Sequence, residues 1–72
     1  MPTGTVKYVG PGGSWGFIAR DDKQPKVFLY ISEVQKAGVD EIEKGQRWMF
    51  DMKEGRDSRL AATDLEFLGY AR

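Results

Sequence analysis

The chain of 72 residues contains no cysteine and no histidine. It can therefore form no disulfide bridge, and it lacks the usual ligands of a structural zinc ion. The missing cysteine is typical of a reducing compartment, so we expect a cytoplasmic protein. The remaining candidates for catalysis are carboxylates, lysines and hydroxyls, and they form no recognisable constellation. We expect neither an enzyme nor a cofactor nor a metal site.

Long apolar runs are also missing. No stretch of apolar residues is long enough to span a bilayer, and the first residues show no basic segment followed by an apolar one. The sequence therefore indicates neither membrane insertion nor export.

The chain has no net charge, with eleven basic residues against eleven acidic ones. This balance argues against binding to a polyanion by charge alone. The charges are unevenly divided, because residues 1–31 carry four basic and two acidic side chains and the rest has the opposite net charge. If the protein meets a phosphate backbone, its N-terminal part is the expected face.

Glycine and proline recur at short intervals and leave between them runs too short for ordinary helices. A chain of this length forms one domain, residues 1–72, whose core should give about 3–5 kcal/mol of net stability. The pattern predicts an all-β fold, with a short helical turn over 33–36 that Ser32 caps, in the connection 32–44. Strands are expected at about 4–10, 15–20, 26–31, 46–53 and 60–68, with turns at 10–13, at 21–25 and around 54–57.

The second and third predicted strands are apolar on both faces. Alternate side chains of a strand point to opposite sides, and a small barrel has only one interior. If Ile18, Val27 and Leu29 fill that interior, the aromatic residues of the same strands must lie outside, where clustered rings mark a binding site. The alternative is that these rings are buried beneath the connection 32–44. The aromatic residues concerned are Trp15, Phe17, Phe28 and Tyr30.

The fourth predicted strand alternates more clearly. Trp48, Phe50 and Met52 share one face, and the opposite face is mostly polar. We expect these three side chains to fill the core, although an indole is hard to fit into so small an interior. The alternative is that Trp48 joins Met49 and Ile31 in a contact with a partner. We expect a monomer rather than a homodimer.

Unpaired bases stack on flat aromatic rings, and each stack is worth about 1–3 kcal/mol whatever the base. Such a site needs several rings side by side on neighbouring strands and a few cations for the phosphates. The aromatic pairs at i, i+2 in the second and third strands meet this requirement. Tyr8 could extend the row along the first strand, with Lys7 as a nearby cation.

Three segments resemble the cold-shock domain family in order and spacing: GTVKY at 4–8, WGFI at 15–18 and VFLYISEV at 27–34. The family's usual pattern is G-T-V-K-W-F-N, then K-G-F-G-F-I, then D-V-F-V-H-F-S-A-I. The resemblance implies a five-stranded antiparallel OB-fold β-barrel that binds single-stranded RNA or DNA, as an RNA chaperone or a regulator of gene expression. Carried over position by position, the implied nucleic-acid-binding residues are Lys7, Tyr8, Trp15, Phe17, Phe28 and Tyr30.

Several stacking and charged positions of that pattern are replaced here. Because two or three rings and one lysine are missing, we expect weaker binding than is typical of the family. The open alternative is an OB-fold that binds proteins and has weakened or lost its nucleic-acid binding. The replacements are Val9 for phenylalanine, Gly10 for asparagine, Gly13 and Ser14 for a lysine–glycine pair, Lys26 for aspartate, Tyr30 for histidine and Ile31 for phenylalanine.

Overall fold

A computed structural model describes residues 1–55 and 59–71 of the chain. The strands in this part of the chain agree with the predicted limits to within two residues. The turn predicted around 54–57 falls partly on residues 56–58, which lie outside the described residues. In chain order the elements are β1 (Thr3–Val9), a 3₁₀ turn (Pro11–Gly13), β2 (Trp15–Arg20), β3 (Val27–Tyr30), α1 (Ile31–Lys36), β4 (Gln46–Glu54) and β5 (Leu60–Tyr70).

The five strands close into a barrel in the order β1-β2-β3-β5-β4. Neighbouring strands run antiparallel, except that β3 and β5 are parallel where Phe28 faces Ala61. Ala61 lies between both neighbouring strands, because it pairs with Lys53 of β4 on one edge of β5 and with Phe28 of β3 on the other. The predicted all-β OB-fold barrel is therefore confirmed, with one parallel pair among its antiparallel ones.

Apolar side chains from all five strands fill the barrel interior. Trp48 and Phe50 are the largest of the fully buried side chains, as the alternation in β4 predicts. The ring of Trp48 lies 5.1 Å from that of Phe67. Met52, the third member of the predicted inward set, is only half-buried and packs at the edge of the core. The core residues are Val6, Ile18, Val27, Leu29, Val34, Ile42, Trp48, Phe50 and Ala62.

The helix begins earlier than predicted. It starts at Ile31, and Tyr30 takes the N-cap position in an extended conformation. The expected cap by Ser32 is therefore wrong, because Ser32 lies inside the first turn. Burial fixes this start: Val34 is fully buried and Ile31 packs against the core. In addition, the backbone N–H of Ile31 donates to the carbonyl of Ser14 at 3.0 Å.

A β-bulge in β1 decides which side chains of that strand face outward. Val6 pairs with Ile18 and Tyr8 pairs with Phe17, so Lys7 is an extra residue in β1 with no counterpart in β2. The extra residue reverses the alternation after Val6. Val6 is buried in the barrel, whereas Tyr8 lies outside, on the same face as Phe17.

Candidate nucleic-acid interface

Five aromatic side chains lie together on the outer face of β1, β2 and β3. The register of β2 and β3 places them there, because Phe17 faces Phe28 and Trp15 faces Tyr30 directly across the two strands. The residues between them in sequence face inward, so the rings share one side of the sheet. We call these five the aromatic cluster: Tyr8, Trp15, Phe17, Phe28 and Tyr30.

The rings of the aromatic cluster touch one another in a continuous row. Phe17 is at its centre, with its ring centroid 4.6 Å from Phe28, 5.5 Å from Trp15 and 5.9 Å from Tyr8. Phe28 and Tyr30 lie 6.2 Å apart at an interplanar angle of 11°, so their faces are nearly parallel. Ring pairs in contact stabilise each other by about 0.5–1.5 kcal/mol beyond their burial.

The aromatic cluster is accessible to solvent. Tyr8 and Tyr30 are each 45% exposed, and the other three rings are half-buried among their neighbours. The alternative in which the connection 32–44 buries the rings is therefore wrong. Ile42, in that connection, packs into the barrel core instead.

Gly16, between Trp15 and Phe17, allows β1 and β2 to approach closely. It is buried on the inner face, and a Cβ at this position would lie 2.5 Å from the carbonyl oxygen of Tyr8. Any other residue would push β1 and β2 apart. The glycine thus keeps Tyr8 within reach of the rings of β2.

Two cations lie over rings of the aromatic cluster. The ammonium of Lys26 is 4.6 Å from the ring centroid of Phe17, and the guanidinium of Arg59 is 5.1 Å from that of Phe28. Sequence reasoning did not include either residue in the predicted site. The sequence contained a cue for Lys26, because this lysine replaces an aspartate of the family pattern. Arg59 had none, since only the parallel contact of β5 with β3 brings it to this face.

Two open pockets lie on this face, one on each side of Phe17. The first, of about 410 Å³, is lined by Phe17, Pro25, Lys26, Phe28, Arg59 and Leu60. The second, of about 320 Å³, is lined by Lys7, Tyr8, Phe17, Ala19 and Lys26. The structure thus brings the predicted Lys7 to the same surface as the rings.

The acidic residues of the β2–β3 turn are paired with arginines. Hydrogen bonds from Arg47 and then from Thr3 lower the pKa of the Asp21 carboxyl below its ordinary value. The guanidinium of Arg20 does the same to the pKa of Asp22. The ion pairs found within residues 1–55 and 59–71 include neither Lys7 nor Lys26. Within the described residues, no carboxylate therefore competes with a phosphate for these two lysines.

Within 1–55 and 59–71, no group of three or more histidine, cysteine or acidic side chains is placed to hold a metal ion. Over the same ranges, no helix has the length and apolar character needed to cross a membrane.

Comparison with known proteins gives the family. Residues 2–67 match the model of the 'cold-shock' DNA-binding domain. The "Probable cold shock protein y4cH" of Sinorhizobium fredii is 36% identical over 67 residues, which cover 92% of this chain and 97% of that protein. The major cold shock protein of Micrococcus luteus is 34% identical over 62 residues, covering 86% and 92% of the two chains. The chain belongs to the cold-shock domain family, a family of nucleic-acid-binding domains.

Proposed function

We propose that this protein binds single-stranded RNA or DNA, without catalysis, by stacking unpaired bases on the aromatic cluster. The observation that carries the proposal is a row of five rings in contact on one outer sheet face, with ring faces open to solvent. Base stacking on such rings tolerates any base sequence. The family, whose matching model is described as DNA-binding, supports the same ligand class.

The geometry favours single strands over duplexes. In a duplex each base already stacks on its neighbours, so its face is covered, whereas an unpaired base can turn toward a protein ring. Lys7 and Lys26 supply positive charge beside the rings for the phosphates that connect the bases. A protein that holds bases apart in this way opposes base pairing. This is the action of an RNA chaperone, or of a regulator that keeps an mRNA free of base-paired structure.

Tryptophan fluorescence tests this proposal directly. Trp48 is fully buried and Trp15 belongs to the aromatic cluster, so a bound base should quench Trp15 and leave Trp48 nearly unchanged. We expect saturable quenching on addition of oligo-dT or oligo-rU, and much weaker binding to a duplex of the same length. Comparing oligo-rU with oligo-dU, which differ only in the sugar, gives the preferred sugar.

Sedimentation of the same samples gives an independent measurement. We expect residues 1–72 to behave as one domain and one monomer that gains the mass of the oligonucleotide. A chain that binds neither oligonucleotide by quenching or by sedimentation would contradict the proposal. That result would favour the alternative of an OB-fold that binds proteins.

A further inference from the structure

Lys26 lies between the two pockets of the aromatic face. Its side chain lines both pockets, and its ammonium is 4.6 Å from the ring centroid of Phe17, which also lines both. The two pockets are therefore neighbours, separated by one ring and one cation. Each has a volume within the range of about 300–1,000 Å³ found for sites that hold small organic ligands.

Arg59 also lines the first pocket. Its guanidinium lies 5.1 Å from the ring centroid of Phe28, and Leu60 follows it along the pocket wall. A guanidinium is planar and stacks on aromatic faces, including those of bases. Phe28 below and Arg59 above thus present two planar groups that can each stack on a base.

We propose that Lys26 and Arg59 turn this face into a clamp for two successive nucleotides of a single strand. The base of one nucleotide lies between Phe28 and Arg59, and the base of the next occupies the second pocket beside Tyr8. Lys26, between the pockets, binds the phosphate that links them. This inference rests on the proposed function and assigns to it two residues outside the predicted site.

The charge at position 26 supports this assignment. Lys26 places an ammonium between the two pockets, since it lines both of them. A carboxylate there would repel a linking phosphate, whereas an ammonium attracts it. Lys26 is in none of the ion pairs of the described residues, so no described carboxylate competes with the phosphate.

The contact between Arg59 and Phe28 does not prevent a base from entering. A cation over a solvent-accessible ring contributes about 0.5–1 kcal/mol, less than the about 1–3 kcal/mol of a base stacked on that ring. Arg59 can therefore move away from Phe28 and let a base stack on that ring. The guanidinium then stacks on the outer face of the base. One contact is lost in this step and two are gained.

The test compares three variants with the parent chain in oligo-dT titrations at several salt concentrations. Lys26→Gln should make the slope of log K against log salt shallower by about 0.7, the value of one phosphate in a single strand. Arg59→Ala should weaken binding on the order of 5-fold, the size of one cation–π contact. Arg59→Lys should also weaken binding, because it keeps the charge and loses the flat guanidinium.

The control is Lys36→Gln, which removes a lysine of α1 that pairs with Glu33, away from the aromatic cluster. It should leave both the affinity and the salt slope unchanged. An unchanged slope for Lys26→Gln, parental or tighter binding by Arg59→Ala, or parental binding by Arg59→Lys would each overturn the clamp while leaving the proposed function intact. A parent chain that binds no oligo-dT would overturn the proposed function and the clamp together.

Discussion

The indole of Trp15 lies directly against the backbone of Gly10. A Cβ added to Gly10 would be 2.7 Å from both Cζ2 and Nε1 of that ring. The backbone N–H of Gly10 also donates to the carbonyl of Trp15 at 2.8 Å. Gly10 has a φ of −73°, which any residue adopts, so the position needs glycine for space and not for its backbone freedom. The indole of Trp15 thus occupies the space that a side chain at position 10 would need.

The first prediction concerns this contact. Gly10→Asn, which restores the family's residue, should push the indole out of its place in the aromatic cluster. Binding to oligo-dT should weaken by up to the value of one stack, about 1–3 kcal/mol, and Trp15 emission should shift in the free protein. Gly12→Asn is the matched control, because a Cβ there meets no described atom within 4 Å and asparagine tolerates its φ of +77°. Parental binding by Gly10→Asn would show that the indole position is unimportant.

The second prediction separates the aromatic cluster from the core. Trp15→Ala and Phe28→Ala should each weaken binding by about 1–3 kcal/mol for the lost stack. Both variants should still unfold cooperatively near the parental temperature, because neither side chain belongs to the buried core. Thermal melts followed by circular dichroism measure the fold and oligo-dT titration measures the site. A collapsed melting transition in either variant would mean that the barrel depends on these rings.

The third prediction concerns salt. With two to four phosphates neutralised by the cations of this face, the slope of log K against log salt should be about −1.5 to −3, at about 0.7 per phosphate for single strands. The chain has no net charge to add a longer-range attraction. Oligo-dT titrations at several salt concentrations give this slope for the parent chain. A slope steeper than about −5 would mean that charge, and not stacking, dominates the binding.

Much of the fold followed from short-range patterns in the sequence. Glycines and prolines marked the strand ends, and the alternation around Trp48 and Phe50 gave the inner face of β4 correctly. The aliphatic and aromatic sides of β2 and β3 could be separated because one small barrel has only one interior. These features depend on neighbours in sequence, which is why a pattern with a period of two reveals them.

Features that depend on distant contacts were harder to predict. Simple alternation from Val6 would place Tyr8 inside the barrel, and only the bulge at Lys7 brings it to the outer face. The start of α1 is set by burial of Val34, which local capping preferences do not include. Arg59 reaches Phe28 through strand pairing across 31 positions of the chain, and no local motif records such a contact.

The fourth prediction concerns how the stability of the fold depends on pH. Because Arg47 and Thr3 hold the pKa of Asp21 below its unfolded value of about 3.9, ionised Asp21 stabilises the fold above that pH. The stabilisation is lost as the pH falls through the lower, folded-state pKa. Asp21→Asn should therefore melt slightly below the parent at pH 7, by a small amount because the pair is exposed, and the difference should shrink as the pH falls below about 3.9. Asp40→Asn, at an exposed position, serves as the control. A difference that grows toward low pH would contradict the assigned pairing.

The last prediction concerns Trp48, the largest side chain of the core. It is fully buried and contacts Phe67, so Trp48→Ala should cost about 3–5 kcal/mol, the usual range for deleting a buried Phe or Trp. That cost equals the whole net stability expected of a chain of this size. Trp48→Ala should therefore be largely unfolded at room temperature, as urea melts would measure. Trp48→Phe should keep much of the stability, because it retains a ring and removes an indole N–H that has no partner in the described part of the barrel. If Trp48→Ala melted like the parent and sedimented as a smaller species, the indole would belong to a contact between two copies of the chain.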